Sequence, residues 1–220
     1  MSMVGELNFF IGLQVKQTDV EIFISQSKYA KNLVHKFGLD TSKHEKTPMA
    51  ITLKLTRDET GIKVDPTLYR RMIGSLLYFT ASRPDICYSV GVCAMYQGNP
   101  MESHVLAVKR IICYVNETLE YGLWYSRETN SHLLCFSDAD LAVNADDRKS
   151  TSGGYFFLGN NLVSWHSKKQ NSISLSTTEV EYIVVGSCCS QLLWMKHMLV
   201  DYGISMDTLT VFCDNTSVTP

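Results

Sequence analysis

Ser176-Thr177-Thr178-Glu179-Val180-Glu181-Tyr182 opens a run of helical periodicity that continues to Val200. The residues on either side decide what that helix belongs to. Upstream, His132-Leu133-Leu134-Cys135-Phe136 is strand-like. Ser152 to Leu158 and Leu162 to Trp165 flank Gly159-Asn160-Asn161, a hairpin connection. Downstream, Leu209 to Cys213 is a short apolar strand. The order is β-β-β-α-β, and a hairpin followed by a helical crossover predicts a mixed sheet.

Towards the N-terminus the pattern changes near residue 128. Tyr29, Leu33, Val34 and Phe37 recur at helical spacing until Gly38, with Ser25 or Ser27 available as a cap. Further helical blocks run from about Pro66 to Phe79, from Ile86 to Gln97 and from His104 to Leu119. Residues 7–24 read as a hairpin, Leu7 to Val15 against Val20 to Ile24, turning at Gln17-Thr18-Asp19. Residues 40–65 are polar, carry Pro48 and Gly61, and predict a long functional or mobile connection. The fold class is therefore mixed α+β, with domains at 1–127 and 128–220.

Composition bounds the function. The chain is 45% hydrophobic and 19% charged, ordinary for a globular protein. No uninterrupted apolar run reaches the roughly 18 residues of a membrane span, and Met1 to Glu6 has no signal-peptide pattern. Seven cysteines with no C-x-x-C pair predict reduced thiols in an intracellular protein. Residues 1–127 hold 15 Lys and Arg against 12 Asp and Glu, whereas residues 128–220 hold 5 against 10. A basic half suits phosphates and an acidic half suits metal, though two solvated surfaces of opposite sign give the same counts.

Three acids on separate elements carry the chemistry. Asp138 in Phe136-Ser137-Asp138-Ala139-Asp140 and Asp214 in Val211-Phe212-Cys213-Asp214-Asn215 end strand-like runs, and Glu179 lies in the first helical turn. Two-metal phosphodiester hydrolysis uses oxygen ligands gathered in this way around ions about 3.5–4 Å apart. Each acid has a rival role. Ser176-x-x-Glu179 fits a capping box, Asp214-Asn215 fits a turn, and Asp138 and Asp140 fit solvent-facing loop acids. Glu181 competes with Glu179 for the metal role, and Asp140 with Asp138.

At these residues the chain resembles the ribonuclease H domain of copia-type retrotransposon Pol polyproteins. The likeness takes in Ser137-Asp138-Ala139-Asp140, Asp147-Arg148-Lys149-Ser150-Thr151-Ser152-Gly153, Val163-Ser164-Trp165, Ser167-Lys168-Lys169-Gln170, Leu175 to Tyr182 and Cys213-Asp214-Asn215. The earlier half is similar to the end of the same polyprotein's reverse transcriptase, in Gly5 to Leu13, Tyr69 to Tyr78 and Ser82-Arg83-Pro84-Asp85-Ile86.

The resemblance implies an N-terminal hairpin with thumb-like helices, then a ribonuclease H-like sheet. It implies RNA-directed DNA synthesis and hydrolysis of RNA in RNA–DNA hybrids with two Mg2+ ions. Asp138, Glu179 and Asp214 match the first three metal-binding acids. Arg70, Gly74 and Tyr78, spaced for one helix face, would lie along a template–primer duplex. Partners would be the hybrid or duplex and the rest of the polyprotein, in a cytoplasmic virus-like particle or the nucleus, and no membrane.

Leu141 stands where the family usually has Trp, and Val143 where it has Gly. The fourth acid would fall beyond Pro220 and the polymerase aspartates before Met1. The sheet is accordingly expected to be incomplete, and the chain alone to have little hydrolytic activity. The alternatives are a non-catalytic nucleic-acid-binding module or an inert relic of a decayed element.

Overall fold

The structure is a computed structural model and describes residues 8–50, 52–142, 144–205 and 208–214. It is mixed α+β, with two four-stranded sheets and five α-helices among the described residues. The chain divides into two compact units, residues 1–127 and 128–220.

The first unit begins with β1 (Phe9–Phe10), β2 (Leu13–Gln17) and β3 (Glu21–Ser25), all antiparallel. The strand expected from Leu7 to Val15 is broken at Ile11 and Gly12, both at positive φ. Gly12 is required there twice over. Its φ is +80, and the Tyr78 hydroxyl fills the space a side chain would need. Leu7 lies outside the described residues.

Helix α1 (Ser27–Lys36) starts after Gln26, which makes no side-chain cap, so neither Ser25 nor Ser27 caps it. Helix α2 (Pro66–Phe79) is capped by Asp65, whose carboxylate accepts from the Thr67 and Leu68 amides. A 3-10 turn over Pro84–Ile86 leads into α3 (Cys87–Ala94), and α4 (Glu102–Glu117) follows. β4 (Gly122–Ser126) then returns to pair with β3, where Trp124 stands opposite Phe23 with ring centroids 4.4 Å apart.

The helices enclose a core that includes Leu33, Tyr69, Ile73, Leu76, Phe79, Val108, Ile111 and Ile112. Arg83 is buried beside it at 1% exposure. Its guanidinium makes a fork with Asp85 (2.8 and 2.7 Å), donates to the Thr118 carbonyl and hydroxyl, and sits over Phe79, Tyr114 and Tyr121. The Ser82-Arg83-Pro84-Asp85 motif is thus an internal brace.

The long connection is strapped to the helices. Leu55 accepts from the Tyr96 hydroxyl, Asp58 from Ser103, and Thr47 from Arg110, which also pairs with Glu45. Buried His104 accepts from the Met101 amide and bonds the Thr56 carbonyl. These side-chain bonds replace the regular structure that the polar, Pro- and Gly-bearing sequence does not form.

The second unit contains β5 (Leu133–Asp140), β6 (Thr151–Leu158), β7 (Asn161–Lys169), α5 (Thr177–Asp201) and β8 (Leu209–Cys213). The sheet order is β7-β6-β5-β8, with β5 antiparallel to β6 and parallel to β8. Val180, Val184, Cys188 and Leu192 recur every fourth residue along α5 and are buried. Cys188 and Leu192 cluster with Leu133, Cys135 and Phe156 of the sheet.

The other sides of both layers are open. Phe136 and Phe212 are stacked 4.9 Å apart at 48% and 47% exposure on the sheet face away from that cluster. Tyr182, Leu193 and Trp194 are exposed on α5. By length and composition, α5 is the one helix among the described residues long and apolar enough to cross a membrane. Its 18-residue mean meets that test although Gly186, Ser187, Ser190 and Gln191 interrupt the apolar run.

Candidate metal centre

Asp138 and Asp214 reach one end of the sheet through strand register. Ser137 of β5 stands opposite Cys213 of the parallel β8, so each aspartate is the next residue along its own chain. The carboxyl ends of adjacent parallel strands are a favoured place for ligand sites. The Ser137 hydroxyl donates to the Phe212 carbonyl at 3.1 Å and fixes the two ends together.

Helix α5 supplies the third acid, and it is Glu181. A carboxylate oxygen of Glu181, the Cys213 sulfur and a carboxylate oxygen of Asp214 all lie within 4.8 Å of one another. Glu181 is 5% exposed and accepts from the Cys213 thiol at 3.3 Å and from the Ala139 amide. Burial raises its carboxyl above the usual range, and the charges of Asp214 and Asp138 push the same way. Asp140 is raised as well, by burial and by Asp138. The acids therefore act on each other electrostatically, which neighbouring solvated loop acids do far less.

Glu179 does something else. It lies at the start of α5, exposed, and its carboxylate accepts from the Leu175 amide at 2.7 Å. Ser176 in turn accepts from the Glu179 amide at 3.1 Å. This is the side-chain cap that the Ser176-x-x-Glu179 spacing also allowed. Two residues along a helix are about 200° apart, so when Glu179 faces the helix start, Glu181 faces the sheet.

A signal for this was present: Glu181 precedes Val184 by three residues and Cys188 by seven, on the apolar stripe. Cys213 was not singled out from the sequence, and an apolar strand ending in Cys gave no reason to.

The donor set suits a hard divalent cation. Glu181, Asp214 and Asp138 offer carboxylate oxygens, the ligands Mg2+ favours. The soft Cys213 sulfur is occupied as a donor to Glu181.

The loop from Leu141 to Ser150 is braced around buried Asn144, whose side chain accepts from the Asp146 and Asp147 amides. Ala142 carries a positive φ, at 51°. Val143 lies outside the described residues, as does Asn215.

In the first unit, Arg70, Gly74 and Tyr78 share one exposed face of α2. Arg70 donates to the Gln97 carbonyl at 3.3 Å and Tyr78 to the Ile11 carbonyl at 2.8 Å, so both have bonds within the unit. Gly74 faces open space.

No protein-family model matches the chain. It is 36% identical to the retrovirus-related Pol polyprotein from transposon RE2 of Arabidopsis thaliana, over 216 residues that are 97% of this chain and 15% of that protein. Identity to the retrovirus-related Pol polyprotein from transposon TNT 1-94 of Nicotiana tabacum is 31%, over 99% of this chain and 17% of that protein. The uncharacterized mitochondrial protein AtMg00810 of Arabidopsis thaliana is 32% identical over 194 residues, 88% of this chain and 80% of that protein. The chain thus spans roughly a sixth of the polyproteins it matches and most of the mitochondrial protein. It belongs to the family of retrovirus-related Pol polyproteins of copia-type transposons.

Proposed function

We propose that residues 128–220 carry the metal-binding acids of a ribonuclease H-like domain, and residues 1–127 the C-terminal part of a reverse transcriptase. The observation that carries this reading is the meeting of acids from β5, α5 and β8 at one end of a mixed sheet. The proposed class of substrate, taken from the resemblance, is an RNA–DNA hybrid. Asp138, Glu181 and Asp214 would hold the ions, with Glu181 taking the role first expected of Glu179.

A bound Mg2+ pair would activate water and stabilise the leaving oxygen. The chain's own residues bring three carboxylates close enough to repel one another, which favours a divalent cation over solvent. The Ala139 amide and Cys213 thiol orient the Glu181 carboxylate toward Asp214. The α2 face of Arg70, Gly74 and Tyr78 is proposed to run along the duplex, with Arg70 leaving the Gln97 carbonyl for a phosphate.

Mn2+ or Mg2+ binding to purified residues 1–220, read by calorimetry, tests the acid site independently of turnover. Asp138→Asn and Glu181→Gln should each weaken binding about tenfold or more, and Glu179→Gln should leave it unchanged. Equal binding by all three variants would overturn the assignment. Hydrolysis of a labelled hybrid by residues 1–220 is expected to be slight, with Leu141 replacing the family's Trp beside the acids. Any cleavage found should vanish in Asp138→Asn.

A further inference from the structure

A cavity in the acidic unit is lined by basic side chains. It measures about 540 Å3 and lies between β7 and α5. Lys168, Lys169, His166 and Asn171 line one side, and Ser187 and Gln191 of α5 line the other. Among the described residues no carboxylate lines it. Two of the five Lys and Arg residues of 128–220 thus meet at one opening, although that half of the chain is net acidic.

The walls are built and not merely surface. Gln170 is 6% exposed and is held by bonds from its amide to Ser152 (2.9 Å) and to the Val180 carbonyl (3.3 Å). The His166 ring stacks on Phe156, with centroids 5.8 Å apart, and takes the space that a side chain on Gly154 would fill. Lys169 is anchored to Asp147 at 2.7 Å. Lys168 makes no ion pair among the described residues, and its charge, after burial, holds His166 below the usual imidazole range. An uncompensated cation beside amide and hydroxyl donors, with no acid facing it, is the chemistry of an anion site.

We propose that this cavity binds a phosphate group, with Lys168 as the charge that holds it and Asn171, Gln191 and Ser187 as neutral donors. The site is separate from the acid cluster. It rests on the ribonuclease H-like reading only for the source of the phosphate, a nucleic-acid backbone as against a free phosphate.

The test uses residues 1–220 and Lys168→Gln, a substitution at an exposed side chain. Inorganic phosphate is titrated while the His166 ring resonances are followed by NMR, assigned with His166→Gln. A bound anion cancels the lysine charge, so the His166 titration midpoint should rise in wild type. In Lys168→Gln the midpoint should already be higher, and phosphate should no longer move it. Lys169 of β7 and the Cys188 thiol of α5, the other titratable groups on this side, are unchanged between the two proteins.

In parallel, hybrid affinity is measured across salt concentrations. Loss of one phosphate contact should flatten the slope of log K against log salt by about 0.9. Both responses together assign the site to a nucleic-acid phosphate. A His166 response with an unchanged slope assigns it to small phosphates. Neither response overturns the proposal. Mg2+ binding by the acids, measured on the same variant, should stay at the wild-type value and reports on the acid site alone.

Discussion

The two units solve the burial problem to different extents. Among the described residues of 1–127, nineteen buried residues form one cluster, and Arg83 lies at 1% exposure over three aromatic rings. In residues 128–220 the corresponding cluster has five buried residues, while Phe136, Phe212, Tyr182, Leu193 and Trp194 stand in solvent. Apolar exposure of this kind marks surfaces that work against something else. The first unit exposes apolar side chains too, Phe9, Phe10, Ile11 and Trp124 among them, but its helices enclose a larger core. The second has a sheet with one covered face, and that is enough to bring its acids together.

The largest effect should come from breaking the brace in the first unit. Arg83→Met removes the buried partner of Asp85, which is exposed and keeps the Tyr114 hydroxyl, and strands the buried Thr118 carbonyl and hydroxyl. Buried groups left unsatisfied in this way cost about 1–3 kcal/mol each. Arg83→Lys should recover only part, since an ammonium cannot make the two-pronged fork with Asp85. Hydrogen exchange of amides in residues 1–127, measured against urea, reads it without the signals of Trp165 and Trp194. A midpoint equal to wild type would show that the brace is redundant and that the contrast between the units is overstated.

Core truncations come next and test the contrast directly. Ile111→Ala, at 0% exposure inside the larger cluster, should cost about 4 kcal/mol. Leu192→Ala, at 1% exposure in the small cluster, should cost about 2 kcal/mol, because a thin layer relaxes into the space more easily. Hydrogen exchange read separately for amides of each unit gives both values. Equal costs would mean the second unit is as tightly held as the first.

The sequence was most legible where local chemistry agreed with the fold. The Pro66 helix start, the helix to Lys36 that gives way before Gly38, and the β-β-β-α-β order all rest on short-range signals. The return of β4 to β3 was not legible, since Gly122 and Ser25 are paired across almost a hundred residues with no local mark. The long polar stretch reads as a loop, but its straps come from Tyr96, in the turn after α3, and from Ser103, His104 and Arg110 of α4. At the proposed acid site the two aspartates are legible as strand ends. Glu179 and Glu181 were separable only by asking which shares the face of Val184 and Cys188. A capping box and a buried acid two residues apart look alike until that face is drawn.

That distinction can be measured at lower amplitude. Ser176→Ala removes the acceptor for the Glu179 amide and should cost about 1 kcal/mol. Divalent-ion binding should be unaffected, because the Glu181 contacts to Ala139 and Cys213 lie on another face of the helix. A parallel loss of ion binding would mean that the helix start and the acid cluster are coupled, and that Glu179 positions the site after all.

The smallest effect should come from the open sheet face, and its sign separates two contributions. Phe136 stacks on Phe212 at 4.9 Å and meets Phe157 edge-on at 5.7 Å. Aromatic pairs of this kind contribute about 0.5–1.5 kcal/mol, but with 48% of Phe136 in solvent the lower end applies. Phe136→Thr keeps a β-branched residue in the strand and removes an exposed ring. Stability should fall by about 0.5 kcal/mol, while the concentration at which the protein begins to aggregate, followed by light scattering, should rise. A fall of several kcal/mol would place Phe136 in a core and remove the contrast between the units. An unchanged aggregation threshold would show that the face is small enough to be tolerated in water, leaving the outer side of α5 as the surface that decides solubility.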